Sequence, residues 1–385
     1  MSFARTIFDE RHQDFRETVR RFAERDISPH ISRWSQEGQV DRELYQKAGK
    51  LGLLGMGIPE EFGGGGTKDF RFNAILIEEL ARAGASSVVM NLSGFNDLVA
   101  PYLEGLGTAE QKNRWLEPMV SGRMIGAIAL TEPSAGSDLG AITTVAHSDG
   151  DDFIVNGRKI FISNGILADT VIVAVVTDPQ AGKKGISLLL IDADSPGFFK
   201  TGPLKKVGLL AQDTAELFFE DVRVPKENLL GDLNSGFQYL RRNLPQERLS
   251  IAVSSMGTMQ RTFEKARTYA IDRTAFGQRL IDMQANRFYL AEIATEIEIA
   301  QVFIDRCILD ASAQTLDETD AAMAKWWITE LHLRVVHRAV QLHGGYGYMK
   351  EYDVAQDFLD SRIGTIYGGA NEIMKEIIGR KLAKL

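Results

Sequence analysis

Apolar residues change their spacing twice along this chain, and the changes divide it into three stretches. Near the start, Ile7, Phe8, Phe15, Val19 and Phe22 alternate with charged positions, as in an amphipathic helix. Residues 80–100 are apolar with many small side chains, which predicts a helix buried against others. The glycines at 63–66 predict a tight turn; a lone glycine run is weak support for phosphate binding. Near residue 125 the period shortens. Runs at 125–131, 153–155, 159–163, 170–177, 186–191 and 217–219 are rich in β-branched or aromatic residues and are separated by turn formers. Asn156-Gly157, between two of these runs, predicts a hairpin. No helical pattern intervenes, so an antiparallel β domain is expected and not a βαβ fold. From about Gly231 helical spacing returns. Leu249, Ala252, Met256, Met259, Phe263, Ala266 and Ala270 form a core stripe, and Pro245 suggests that this helix begins there. Arg273 to Gly277 interrupts the pattern, and further helices are expected at 285–311, 319–342 and 370–381. The fold class is α+β: an N-terminal helical domain (1–124), a small antiparallel β domain (125–231) and a C-terminal helical bundle (232–385).

Composition adds exclusions. An apolar content of 44% with 25% charged residues is ordinary for a globular protein. The net charge of −8 disfavours nucleic acid, which needs a basic surface. Cys307 is the only cysteine, so no intrachain disulfide can form, and a reducing compartment fits. No run of about 18 apolar residues exists, so no membrane span is expected. The charged start lacks a signal-peptide core, which makes the bacterial cytoplasm the simplest location, with an organelle the alternative for a mature form. No H-E-x-x-H or Cys–His cluster predicts a metal site, and no strand leads into G-x-G-x-x-G. Gly136-Ser137-Asp138 is not a nucleophile elbow. His343, before Gly344-Gly345, reads as a helix-end residue. On these features alone, a non-enzymatic helical binding protein stays open.

One segment, Ala129-Leu130-Thr131-Glu132-Pro133-Ser134-Ala135-Gly136-Ser137-Asp138, resembles the T-E-P-x-A-G-S-D signature of the acyl-CoA dehydrogenases. Four more match that family in order: Lys159-Ile160-Phe161-Ile162-Ser163-Asn164-Gly165, Arg273-Thr274-Ala275-Phe276-Gly277, Gln341-Leu342-His343-Gly344-Gly345-Tyr346-Gly347-Tyr348 and Ile366-Tyr367-Gly368-Gly369-Ala370-Asn371-Glu372-Ile373. Residues 244–249 and the Gly-Gly-x-Asn-Glu end look most like the long-chain branch. The resemblance implies FAD as cofactor, a homotetramer, an acyl-CoA substrate and electron-transferring flavoprotein as electron acceptor. It places Leu130 and Thr131 along the flavin, Phe161 and Ser163 on its other side, and Ser137 near pyrophosphate or CoA. It sends Arg273, Gln284, Gln341 and Gly345 to FAD across subunit interfaces, adds Phe276 to the cofactor contacts, and gives Asn371 and Glu372 the adenosine. An arginine fork suits a diphosphate, and glycine lets backbone approach phosphate closely.

The implied reaction removes an α proton and passes the β hydrogen as hydride to flavin N5, giving a trans-2-enoyl-CoA. Many relatives place the base directly after the tyrosine of the terminal motif, where this chain has Gly368. In the long-chain and isovaleryl branches an E-R pair on an earlier helix takes its place, which points to Glu247 as base and Arg248 as a support for substrate or helix. By periodicity alone, Glu247 would be a solvated residue in the first turn of a helix, ionised by the helix dipole. The resemblance also gives the backbone N–H of Gly368 to the thioester carbonyl, with Tyr367 and Gly369 beside the substrate. Ala370 stands where the family more often has threonine. Two alternatives are a flavin oxidase of the same fold and a catalytically dead acyl-CoA-binding protein.

Overall fold

The computed structural model describes residues 4–384. Its N-terminal region is helical, with Glu10–Phe22, Phe70–Arg82, Ser86–Gly94 and Ala100–Leu106 as its main helices. Asp9 and Asp69 cap the first two by accepting from the His12 and Arg71 amides. The single helix expected over 80–100 is divided. Gly84, at φ +79, turns the chain, and a π-helical turn follows at Phe95–Val99. Composition without a period could not mark that turn.

Among the described residues a seven-stranded sheet forms, built from β1 (Gly126–Ala129), β2 (Val145–Asp149), β3 (Asp152–Ser163), β4 (Thr170–Val176), β5 (Ile186–Asp192), β6 (Phe198–Thr201) and β7 (Thr214–Pro225). The expected hairpin at Asn156-Gly157 is not a turn; the pair lies inside β3, at a bulge opposite β7. Asn156 instead exchanges two hydrogen bonds of 2.9 Å with Asp221. The turn falls earlier, at Gly150 (φ +58), where β2 meets β3. The sheet is not wholly antiparallel either. β1 pairs with β4 in parallel, and Val145 of β2 makes a parallel bridge to Val176. The β2–β3 hairpin between β1 and β4 supplies the long crossover that parallel neighbours require.

β4 and β5 are buried on both faces. Ile172, Ala174, Leu188 and Leu190 join a core shared with the helices, whereas Val171, Val173, Leu189 and Ile191 face the core of the β domain. The helical core is continuous from Val19 and Ile75 through Leu249 and Met256 to Ile328. Helices before and after the β domain therefore pack on one another. Gly257 permits the close approach, because a Cβ there would lie 2.9 Å from the Ala81 Cβ.

The C-terminal bundle contains Gly236–Asp272, Gln284–Ser312, Glu318–His343, Asp353–Ser361 and Asn371–Leu382. Its first helix begins nine residues before Pro245 and passes through it. Proline removes the donor to residue 241, and Arg241 is exposed, so water can take the freed carbonyl. His343 does end its helix, with Nδ1 2.7 Å from the Ala339 carbonyl and its ring stacked on Tyr269 at 4.1 Å. No helix among the described residues is long and apolar enough to cross a membrane.

Candidate active site

The β1 and β3 ends meet both helical regions at a cleft of about 640 Å³. The backbone beyond β1 forms one wall. Thr131 accepts from the Ile160 amide at 2.9 Å. Buried Lys159 donates to the Leu130 carbonyl at 3.1 Å and to Glu132 at 2.8 Å, and Glu132 also accepts from the Thr143 amide and hydroxyl and the Thr144 amide. Burial works to raise the Glu132 carboxyl, yet the Lys159 charge and these donors hold it down to about 2. Burial pushes Lys159 down to about 8. The sequence reading did not find this pair, since neither residue signals a partner across strands.

A second irregularity of β3, between Lys159 and Ile162, re-aims Phe161. Phe161 takes φ +61, uncommon for an aromatic residue, and is 65% exposed at the cleft beside Ser163.

Glu247 faces the cleft from the opposite side. It is buried, not solvated, and sits deep within its helix, where no helix end favours its charge. Tyr102 donates to Oε1 at 3.2 Å. Burial pushes the carboxyl up to about 8 against that bond and the Arg248 charge, and the charge of Asp97 adds to the rise. Arg248 is also buried; its Nη1 lies 3.6 Å from Glu318, and its Nε and Nη1 lack hydrogen-bond partners.

The third wall is the turn before Asn371–Leu382. Gly368 and Gly369 have φ +62 and +95, which glycine adopts without strain. Buried Lys325 donates to the Gly369 carbonyl at 2.7 Å and to Asn371 Oδ1 at 3.0 Å, fixing this turn.

The cleft thus brings together Leu130, Thr131, Ser137, Phe161, Ser163, Glu247, Arg248, Tyr367, Gly368 and Gly369. It does not include Arg273, Phe276, Gln284, Gln341 or Gly345, which are exposed outside it. Asn371 is turned inward onto Lys325 and Thr329, and Glu372 is exposed. The sequence reading also missed Tyr102, whose isolated position carries no motif.

The residues present fit the ring end of FAD. An aromatic side chain turned outward, the strand ends beside it and the Cβ-free turn at 368–369 suit a flat heteroaromatic ring. The remaining expected contacts lie where one chain alone does not close them around the cleft.

Comparison with known proteins agrees with this architecture. The chain matches the acyl-CoA dehydrogenase N-terminal domain over residues 9–123, the middle domain over 127–222 and the C-terminal domain over 234–383. It is 46% identical over 380 residues to the mitochondrial long-chain specific acyl-CoA dehydrogenase of Sus scrofa, covering 98% of this chain and 88% of that one. It is 36% identical over 379 residues to the Caffeyl-CoA reductase-Etf complex subunit CarC of Acetobacterium woodii, covering 98% and 99%. The crystal structure of an acyl-CoA dehydrogenase from Geobacillus kaustophilus superposes with a TM-score of 0.96 at 46% identity, covering 98% of this chain and 100% of that one. The chain belongs to the acyl-CoA dehydrogenase family, FAD-dependent enzymes of acyl-CoA dehydrogenation.

Proposed function

We propose that Glu247 removes the α proton of a CoA thioester held in the cleft, yielding the trans-2-enoyl-CoA. The observation that carries this reading is a buried carboxyl, bonded to Tyr102 and held near 8, in a cleft lined by the family's motifs. Tyr102 occupies one carboxylate oxygen, which leaves the other to take the proton. The α proton is weakly acidic, so the thioester oxygen needs a donor as charge develops there. The Gly368 N–H fills that role, and Lys325 keeps its turn in place through the next carbonyl. Arg248 supports the ionised form of Glu247. Bound FAD supplies a two-electron acceptor for the β hydrogen. Leu130, Thr131, Phe161 and Ser163 hold its ring, and Ser137 holds the pyrophosphate or CoA.

Arg273, Phe276, Gln284, Gln341 and Gly345 lie outside the cleft, which supports a homotetramer in which these residues complete a neighbour's FAD site. Exposed apolar residues on the same bundle, Phe276, Ile299, Val302 and Tyr348 among them, support burial between subunits. A relative named for an Etf complex supports electron-transferring flavoprotein as the acceptor.

Anaerobic rapid mixing of the yellow holoenzyme with acyl-CoAs tests the reading. Flavin bleaching is expected with wild type, and Glu247→Gln should slow it by about 10²–10⁴-fold with FAD and acyl-CoA still bound. Near-normal bleaching by Glu247→Gln would remove this residue from the mechanism.

A further inference from the structure

The cleft holds a second buried carboxyl that the proposed reaction leaves unused. Asp97, on the π-helical turn Phe95–Val99, is 3% exposed and lines the cleft with Glu247. Its Oδ1 accepts from Asn73 at 2.8 Å and from Gln246 at 3.0 Å. Gln246 is the residue before Glu247. In the other direction, Asn96 donates to Asn73 at 3.3 Å and to the Leu53 carbonyl at 3.0 Å, while the Gly55 amide donates to Asn96 at 2.8 Å. A line of polar groups therefore runs through the interior from the 53–55 loop to the neighbour of the base.

Two features separate this line from a passive strut. An asparagine at 97 would accept the same two bonds, so the network does not itself need a charge there. Beyond Asn73 and Gln246 the carboxyl faces only the Ser250 hydroxyl, and its Oδ2 makes no hydrogen bond of good geometry, a costly arrangement that calls for an explanation. The helix is also weakened nearby, because Pro245 removes a main-chain donor two residues before Glu247. The Gln246 bond to Asp97 ties down that turn from outside the helix.

We propose that Asp97 is a positioning residue for the base: through Gln246 it fixes the helix turn that presents Glu247, and the charge of its carboxylate sets how readily Glu247 gives up its proton. This rests on Glu247 being the base. The other groups facing Glu247 are Tyr102, from Ala100–Leu106, and Arg248, on its own helix; Arg248 in turn faces Glu318 and Lys325 of Glu318–His343. Burial and the nearby Glu247 keep Tyr102 neutral, and the Arg248 charge favours ionised Glu247. Among these groups Asp97 is the one whose charge favours the protonated form. Removing it lets Glu247 ionise at lower pH. Burial raises Asp97 itself to about 6, so its charge acts above that value.

The test is the pH profile of anaerobic flavin bleaching by limiting acyl-CoA, measured on FAD-loaded wild type, Asp97→Asn and Gln246→Met. Asp97→Asn should move the acid limb down by about half a pH unit or more, so that near pH 6.5 it bleaches roughly threefold faster than wild type. Gln246→Met keeps the charge but loses the tie; it should hold the limb in place and lower the plateau about tenfold through misplacement of the base. Asp97→Ser, smaller and neutral, must shift the limb in the same direction, which covers a folding failure of Asp97→Asn. An unmoved limb in both neutral variants, or a wild-type plateau in Gln246→Met, overturns the proposal while leaving Glu247 as base. Bleaching that survives in Glu247→Gln overturns both.

Discussion

At residue 247 a carboxyl that ordinarily ionises near 4.3 is held up to about 8. Its folded-state value is the higher one. The stability it contributes is therefore fully present below the ordinary carboxylate range and is lost as pH rises through about 8. Glu247→Gln removes that dependence, so the melting temperature of the variant should gain on wild type from pH 5 to about pH 8 and level off above it. In wild type, kcat/KM for acyl-CoA should rise with pH on a limb centred near 8, which reports the free enzyme's base. Position 368 gives a second prediction. A Cβ on Gly368 would lie 2.3 Å from the Ile251 Cδ1, at a φ of +62. Moving the carboxylate there, as Glu247→Gly with Gly368→Glu, should recover only part of the bleaching rate lost in Glu247→Gly, because the Ile251 side chain must swing aside and a glutamate must hold a positive φ. Little of this was legible from the residue types. Glu247 falls off the apolar stripe because the cleft interrupts the packing there, and periodicity reads any polar residue off a stripe as solvated.

The terminal helix Asn371–Leu382 starts without a side-chain cap, since its N-cap is Ala370. Ala370→Thr should stabilise the protein by roughly 1 kcal/mol by accepting from a first-turn amide, seen as a higher melting temperature in FAD-free protein. At this scale the sequence was readable where spacing was long and regular. The helices at Gln284–Ser312 and Glu318–His343 lie where their periods put them. Local punctuation misled where tertiary contacts overrode it. Asn156-Gly157 is absorbed by pairing with β7, Pro245 by packing along a 37-residue helix, and Gly84 breaks a segment whose apolar composition hid it. The parallel pairing of β1 with β4 depends on a crossover that strand patterns do not encode.

Across the whole molecule, the expected FAD contacts divide between the cleft and the exposed end of the bundle. Arg273→Ala should weaken FAD retention by about 1.5–3 kcal/mol, the worth of a charge-assisted hydrogen bond. Its far-ultraviolet circular dichroism and melting temperature without FAD should stay near wild type, because Arg273 is exposed and its contact within the chain is with the Tyr346 ring, 5.9 Å away. An unchanged flavin affinity would remove Arg273 from the cofactor site. The three stretches were legible in order because each keeps its own period, whereas the meeting of residues near 97, 130, 161, 247 and 368 is a product of their packing.

The helices before and after the β domain share one core, and this has a consequence for synthesis. The apolar faces around Ile75, Leu76 and Ala81 leave the ribosome before Met256 and Met259, which will cover them, have been made. At about 5–20 residues per second, the intervening stretch keeps those faces waiting for roughly 10–35 s. The β domain has a core of its own and can close during that interval. The first helices share their core with the last ones, so part of their apolar surface stays uncovered until the C-terminal helices arrive.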